Sequence, residues 1–286
     1  MTRRDRFMSF HFFSPGPAVS RFVRAYWLDQ HEPHSSPPSL GLPSGNAQIV
    51  IDLSGHGLRI PEVCATGSAP MVAGALFNGA DTRPFLVRYD EGGSPAHYMG
   101  VDFRPGGAYP FVGPPASELR DAHLPLETLW GRCAVDELRE RLLRAQTPAE
   151  HVQVLEAALL AKLARPLERH PAVRLALRAF AAAPRGLAIA RVVDELALSH
   201  TRFIDLFRDE VGLSPKQFCR VRRLVRVLQR TRNEERPDWA QLALACGYYD
   251  QAHLTHDFQR FAGVSPSVFI RDRIAGLATH ITLPNG

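Results

Sequence analysis

Residues 242–269 read LALACGYYDQAHLTHDFQRFAGVSPSVF. Apolar residues recur at helical spacing on both sides of Gly247. The pattern predicts a short helix, Trp239–Cys246, with Gly247 in the turn after it. Asp250 suits an N-cap, because its carboxylate can accept a free backbone N–H of the next turn. A second helix, Gln251–Phe261, ends at Gly263, and Ser265-Pro266 opens another.

The same pattern occurs earlier. A shift of 51 positions lays Phe203 on Leu254, Phe207 on Phe258, Gly212 on Gly263, Ser214-Pro215 on Ser265-Pro266 and Phe218 on Phe269. In this first copy Ile189–Leu196 is the leading helix, Ser199 the N-cap, and His200–Glu210 the second helix, stopped by Gly212. Between the copies, Pro215–Arg230 reads as one helix with Phe218, Val221, Val225 and Leu228 in a stripe. Two short helices joined by a tight turn can present the second helix to the major groove of DNA. One such hairpin is weak evidence; two on one linker helix are far more specific.

Charge agrees with the placement. The 286 residues carry a net +5. Residues 171–286 hold 17 Lys+Arg against 11 Asp+Glu, a net +6, whereas residues 1–170 are at −1. Arginine supplies all but Lys162 and Lys216 of the basic residues. With 45% hydrophobic and 22% charged residues, the composition excludes disorder, collagen and a disulfide-stapled mini-protein. Cys64, Cys133, Cys219 and Cys246 show no C-x-x-C spacing, as expected of a protein in a reducing, cytoplasmic setting. No apolar run approaches the roughly 18 residues of a membrane span, so no membrane partner is expected.

The residues from Ile189 to Gln229, and above all A-x-x-x-G-Y-x-D-Q-x-H-x-x-x-x-F-x-R-x-x-G-V-S-P over Ala243–Pro266, resemble the DNA-binding domain of the AraC/XylS family of transcription regulators. The resemblance spans about residues 172–272. It implies two helix-turn-helix units that enter successive major-groove segments on one face of double-stranded DNA. Carried over by position, it assigns His200, Thr201, Ile204, Asp205 and Arg208 to the groove in the first unit. Gln251, Ala252, Thr255, His256 and His253 take that role in the second. Ser199 and Asp250, at the starts of these helices, are counted among the DNA-binding residues, and Arg202 and Arg260 suit phosphate better than bases. Gln251 can pair bidentately with an adenine edge, and Ile204, Ala252 and the Thr201 methyl suit a thymine methyl. Asp205 either accepts from a cytosine amino group or faces an arginine of its own helix. A His256 contact with phosphate or guanine would strengthen binding as pH falls. Arg220, Arg222, Arg223 and Arg226 form either a solvated face or a source of phosphate contacts, while Phe203, Phe207, Leu254, Phe258, Phe261 and Phe269 belong to the core.

The first half has a different texture. Short runs rich in aromatic and β-branched residues, Phe7–Phe13, Ala47–Leu53, Pro84–Tyr89 and His97–Phe103, are bounded by turn residues and predict strands. Helices are expected over Ala134–Ala145, with Val135, Leu138, Leu142 and Leu143 inward, and over Pro148–Arg165, with Val152, Leu155, Leu159 and Leu163 inward. These pack on their own barrel or pair with a second chain. The segments Arg21–Trp27, Leu42–Leu53, Gly100–Gly107 and Leu124–Gly131 resemble a β-rich, cupin-like sensor domain, which implies a small β-barrel followed by helices. The expected fold is therefore α+β: a cupin-like sensor or dimerisation domain over 1–168 and an all-α DNA-binding domain over 169–286.

Tyr26, Trp27, Phe85, Tyr98 and Phe103 either line a pocket for a small-molecule effector or fill the barrel core. His31, His34 and His97 lack H-x-H spacing, and Pro105-Gly106-Gly107 is no phosphate loop, so neither metal nor other cofactor is expected. The expected function is a bacterial sequence-specific regulator, an activator touching RNA polymerase, sensing an effector or forming a homodimer. The alternative is a DNA-repair-like enzymatic first half, which would need a zinc-thiolate cluster or a reactive cysteine.

Overall fold

The computed structural model describes residues 8–31, 39–59, 71–72, 74–87, 96–182, 198–274 and 279–280. In the first half the aromatic and β-branched runs form strands. These are β1 (Met8–Phe13), β2 (Val23–His31), β3 (Ser39–Gly41), β4 (Gln48–Asp52), β5 (Leu58–Arg59), β6 (Met71–Val72), β7 (Ala75–Asn78), β8 (Phe85–Val87), β9 (Ala96–Phe103) and β10 (His123–Pro125). Six of them make an antiparallel sheet in the order β1-β2-β9-β4-β7-β10. A further strand, β11 (Thr279–His280), runs parallel to β3, which pairs on its other side with β8.

The sheet has two distinct faces because side chains alternate along each strand. Tyr26, Leu28, Ile49, Ile51, Met99, Val101 and Phe103 fall on one face and are buried. Helices α1 (Glu127–Trp130), α2 (Arg132–Arg144) and α3 (Pro148–Ala161) cover that face with Trp130, Val135, Leu138, Leu142, Leu155 and Leu159. The opposite face carries Trp27, Asp29, Tyr98, Gly100 and Asp102, with Trp27 opposite Gly100 and Asp29 opposite Tyr98. The Trp27 indole lies so close over Gly100 that a Cβ there would be 2.1 Å from Cε2.

Thr147 opens α3 with a capping box, its hydroxyl accepting from the Glu150 amide while the Glu150 carboxylate accepts from the Thr147 amide. Two details differ from the sequence pattern. Leu143 is 55% exposed, on the outer side of α2. Helix α3 stops at Ala161, because the chain turns to let the Ala164 and Arg165 amides donate to the Pro110 carbonyl. Leu163 therefore lies past the helix end and is 40% exposed.

Everything described between residues 171 and 274 is helix or turn. The helices are α4 (Pro171–Ala182), α5 (His200–Val211), α6 (Pro215–Arg230), α7 (Trp239–Cys246), α8 (Gln251–Ala262) and α9 (Pro266–Ile274). The expected leading helix Ile189–Leu196 lies outside the described residues. A second apolar core joins these helices through Phe180, Phe203, Phe207, Phe218, Leu224, Leu254, Phe258 and Phe269. Leu42 and Ala80 of the first half also belong to it. The protein is thus a β-rich region followed by a helical one, an α+β fold.

Candidate nucleic-acid interface

Helix α5 begins where the Ser199 hydroxyl accepts from the Arg202 amide at 3.3 Å. It ends at Gly212, whose φ of 87° is open to glycine at little cost. Phe203 and Phe207 are fully buried, and Phe207 meets Phe180 and Phe218 at centroid distances of 5.8 and 5.7 Å. Burial of that stripe turns His200, Thr201, Arg202, Asp205 and Arg208 outward, all exposed, with Ile204 half-buried at the edge. Among the described residues Asp205 has no ion pair, so the arginines of its own helix do not claim it.

Helix α8 repeats the construction. The Asp250 carboxylate accepts from the His253 amide at 2.7 Å, and Gly263 ends the helix at φ 75°. Leu254, Phe258 and Phe261 are buried. Gln251, Ala252, His256, Gln259 and Arg260 are exposed, and Thr255 is half-buried. His253 is turned partly inward: its ring meets Tyr248 edge-on at 5.2 Å, and Nε2 lies 4.0 Å from Asp257. The oxygens of Ser199 and Asp250 act as caps and start α5 and α8.

The arginines of the linker helix α6 do not form the solvated face that the sequence allowed. Arg220, Arg222, Arg223 and Arg226 are half-buried. Arg220 Nε donates to Asp257 at 3.2 Å and its guanidinium stacks over Phe261. Arg223 donates to the Gly247 carbonyl at 3.1 Å and stacks over Tyr248. Arg226 donates to the Phe180 carbonyl at 3.1 Å. Burial, together with the nearby Arg226 and Arg24, lowers the Arg222 pKa. Arg220, Arg223 and Arg226 bind the helices to one another. Asp257, only 1% exposed, is the anion that joins α8 to α6. Sequence reading missed it because its partners lie 37 and 34 residues away, counted from Arg220 and Arg223.

Tyr249 was missed as well. It stands in the turn just before Asp250 and is 85% exposed, whereas its neighbour Tyr248 is buried. Two adjacent tyrosines carry no sequence signal for which one faces solvent.

The five effector candidates separate. Tyr26 and Phe103 point into the apolar core, Trp27 and Tyr98 sit on the opposite sheet face, and Phe85 belongs to β8. Trp27 and Tyr98 share their face with Arg24, Gln48 and Asp102, where Arg24 and Gln48 both donate to the Asp102 carboxylate. Burial raises the Tyr26 hydroxyl well above its usual range, with Glu156 adding to the effect.

Among the described residues no group of three His, Cys, Asp or Glu side chains is placed to hold a metal ion. Cys64 lies outside the described residues. Burial pushes the Cys219 thiol up to about 11 and raises that of Cys246, away from a reactive thiolate. No described helix is long and apolar enough to cross a membrane.

Two family matches cover much of the chain. A helix-turn-helix domain matches residues 192–272, and a domain of unknown function (DUF6597) matches residues 11–125. No curated protein matches the chain. Among solved structures, ToxT from Vibrio cholerae is similar at 10% identity and a TM-score of 0.47, over 93% of this chain and 98% of that one. ToxT from the same organism with (E)-4-(8-methylnaphthalen-1-yl)but-3-enoic acid bound is similar at 10% identity and 0.47, over 93% and 99%. Wild-type ToxT with bound unsaturated fatty acid is similar at 8% identity and 0.47, over 86% and 94%. The helix-turn-helix match falls on the residues that carry the repeated motif, and their two capped helices turn a polar face outward: residues 192–272 of this chain are a helix-turn-helix domain.

Proposed function

We propose that the chain reads a two-part operator through α5 and α8 and activates transcription by contact with RNA polymerase, under control of its first half. The observation that carries this reading is the repeated division of each helix. A buried Phe or Leu stripe faces the core, and His200, Thr201, Arg202, Asp205 and Arg208, or Gln251, Ala252, His256 and Arg260, face outward. Ile204, Thr255 and His253 complete the proposed contacts from the half-buried edges of those faces.

The proposed division is a sensor or dimerisation domain over 1–168 and a reading domain over 169–286, supported by two separate apolar cores, the second of which takes in Leu42 and Ala80 of the first half. For the effector, Trp27 and Tyr98 are the members of the aromatic set that share a sheet face with polar groups. The setting proposed is the cytoplasm.

Selection of binding sites from random duplexes with the full chain tests the reading. It should return a non-palindromic motif of two half-sites about one helical turn apart. Preference over random DNA at matched salt should be about 10³-fold or more. Recovery of no motif would overturn it.

A further inference from the structure

The loop between β7 and β8, residues 79–84, lies beside the ends of both reading helices. A Cβ built on Gly212, the stop of α5, would lie 3.0 Å from the carbonyl oxygen of Ala116, in the segment behind the loop, and 3.5 Å from the Ala80 Cβ. One built on Gly263, the stop of α8, would lie 3.7 Å from the Pro84 Cγ. Two helix stops 51 residues apart in sequence therefore lie beside points four residues apart in one loop. Four residues of extended chain reach at most about 14 Å, so the loop bounds the distance between its two contacts.

The loop is itself held from behind. The Gly79 amide donates to the Ala122 carbonyl at 2.8 Å, and a Cβ on Gly79 would collide with the Leu119 carbonyl at 1.7 Å. The Thr82 hydroxyl lies 2.9 and 2.8 Å from the two Asp121 carboxylate oxygens. Asp121 holds φ at 56°, the left-handed region that non-glycine residues seldom occupy. His123 Nε2 is 3.3 Å from Asp81. The same backing segment reaches α5 directly, since the Ala116 amide donates to the Asp209 carbonyl at 2.8 Å.

We infer that the 79–84 loop is a positioning element for DNA reading: by seating both helix stops at once, it sets the separation of α5 and α8 and hence the half-site spacing the protein accepts. The inference rests on the two-helix reading above. Ala80 and Pro84 are positioning residues, acting on DNA only through the helices they seat.

The test uses the full chain and the operator selected by the wild type. Duplexes with one base pair inserted or deleted between the half-sites are titrated with wild type, Pro84→Gly and Thr82→Val, each checked by thermal melting. Wild type should lose about tenfold or more in affinity per displaced base pair, the scale of losing one specific base contact. Pro84→Gly should flatten that penalty severalfold, and Thr82→Val, which loosens the loop from its anchor, should do the same. If Pro84→Gly does not fold, Thr82→Val decides the matter alone. Variants that keep the wild-type spacing penalty, or that weaken every spacing equally, overturn the inference and leave the two-helix reading standing. A wild type that selects no two-part site overturns both.

Discussion

Replacing Glu210 by Gln should stabilise the protein at neutral pH and remove a pH dependence that the wild type carries. Glu210 closes the last turn of α5 and is 5% exposed. Arg169 Nε lies 3.4 Å from it, and the His170 amide donates to it at 3.2 Å. Both favour the carboxylate. Burial opposes them and wins, pushing the pKa from 4.5 up to about 7. Arg169 is divided: it also donates to the Pro105 carbonyl at 2.7 Å, and its own pKa is lowered by burial.

At about 1.36 kcal/mol per unit, ionising Glu210 in the folded state costs on the order of 3 kcal/mol relative to the unfolded chain. The sign follows from a raised folded-state pKa. The stability is fully present below 4.5 and is lost as pH rises through about 7, after which the curve is flat. Gln copies the shape of the neutral acid and does not titrate. Melting curves of wild type and Glu210→Gln between pH 5 and 8 therefore cancel the other carboxylates. The variant should melt at nearly the wild-type temperature at pH 5. By pH 8 it should melt several degrees higher, since about 1 kcal/mol moves Tm by roughly 2–4 °C at this chain size. A variant less stable by the same margin at every pH would show that the Arg169 pair outweighs burial, and the reasoning would fail.

Three other substitutions test the interface and its support. Gln251→Ala should relax preference at one base pair at a cost of about 1–3 kcal/mol, read by binding to a set of single-base operator variants; a uniform loss across sequences would make Gln251 a phosphate contact. Asp257→Ala leaves Arg220 and Arg223 without their shared anion and should cost about 3–5 kcal/mol in denaturant unfolding. A loss within the ~1 kcal/mol of a surface pair would contradict that. Phe207→Ala, at the meeting of Phe180, Phe203 and Phe218, should cost about 3–5 kcal/mol by the same measurement, and a near-neutral result would mean the cavity collapses.

The helical half was legible because local signals carry it. Ser214-Pro215, Asp250 and Gly263 each act within a few residues of themselves, and the structure uses them as caps and stops. Linker helix Pro215–Arg230 and helix Trp239–Cys246 have the predicted bounds. The sheet was less legible. Strand β7 is four residues long and buried throughout, so it has no alternation to detect, and β5 and β6 are two residues each. The predicted strands Ala47–Leu53 and His97–Phe103 correspond to β4 and β9, where alternation or apolar content is strong. The outward residues of α5 and α8 were assigned by the family resemblance, and the structure turns most of them to solvent. The arginines of α6 were not legible, since a charge run looks the same whether it faces water or a buried aspartate. Neither was the seating of α5 and α8 on residues 79–84, a contact made over more than a hundred residues of chain.

The inward use of those arginines bears on how the protein meets a polyanion. Affinity for DNA falls with salt in proportion to the phosphates a protein neutralises, because each contact releases condensed counterions. Arg220, Arg223 and Arg226 count toward the net +6 of residues 171–286, yet their guanidinium groups already hold an aspartate or backbone carbonyls. Their charge still adds to the long-range field that draws DNA in, but it displaces few ions at contact. On the proposed reading, the protein is therefore more basic to an approaching duplex than to a bound one.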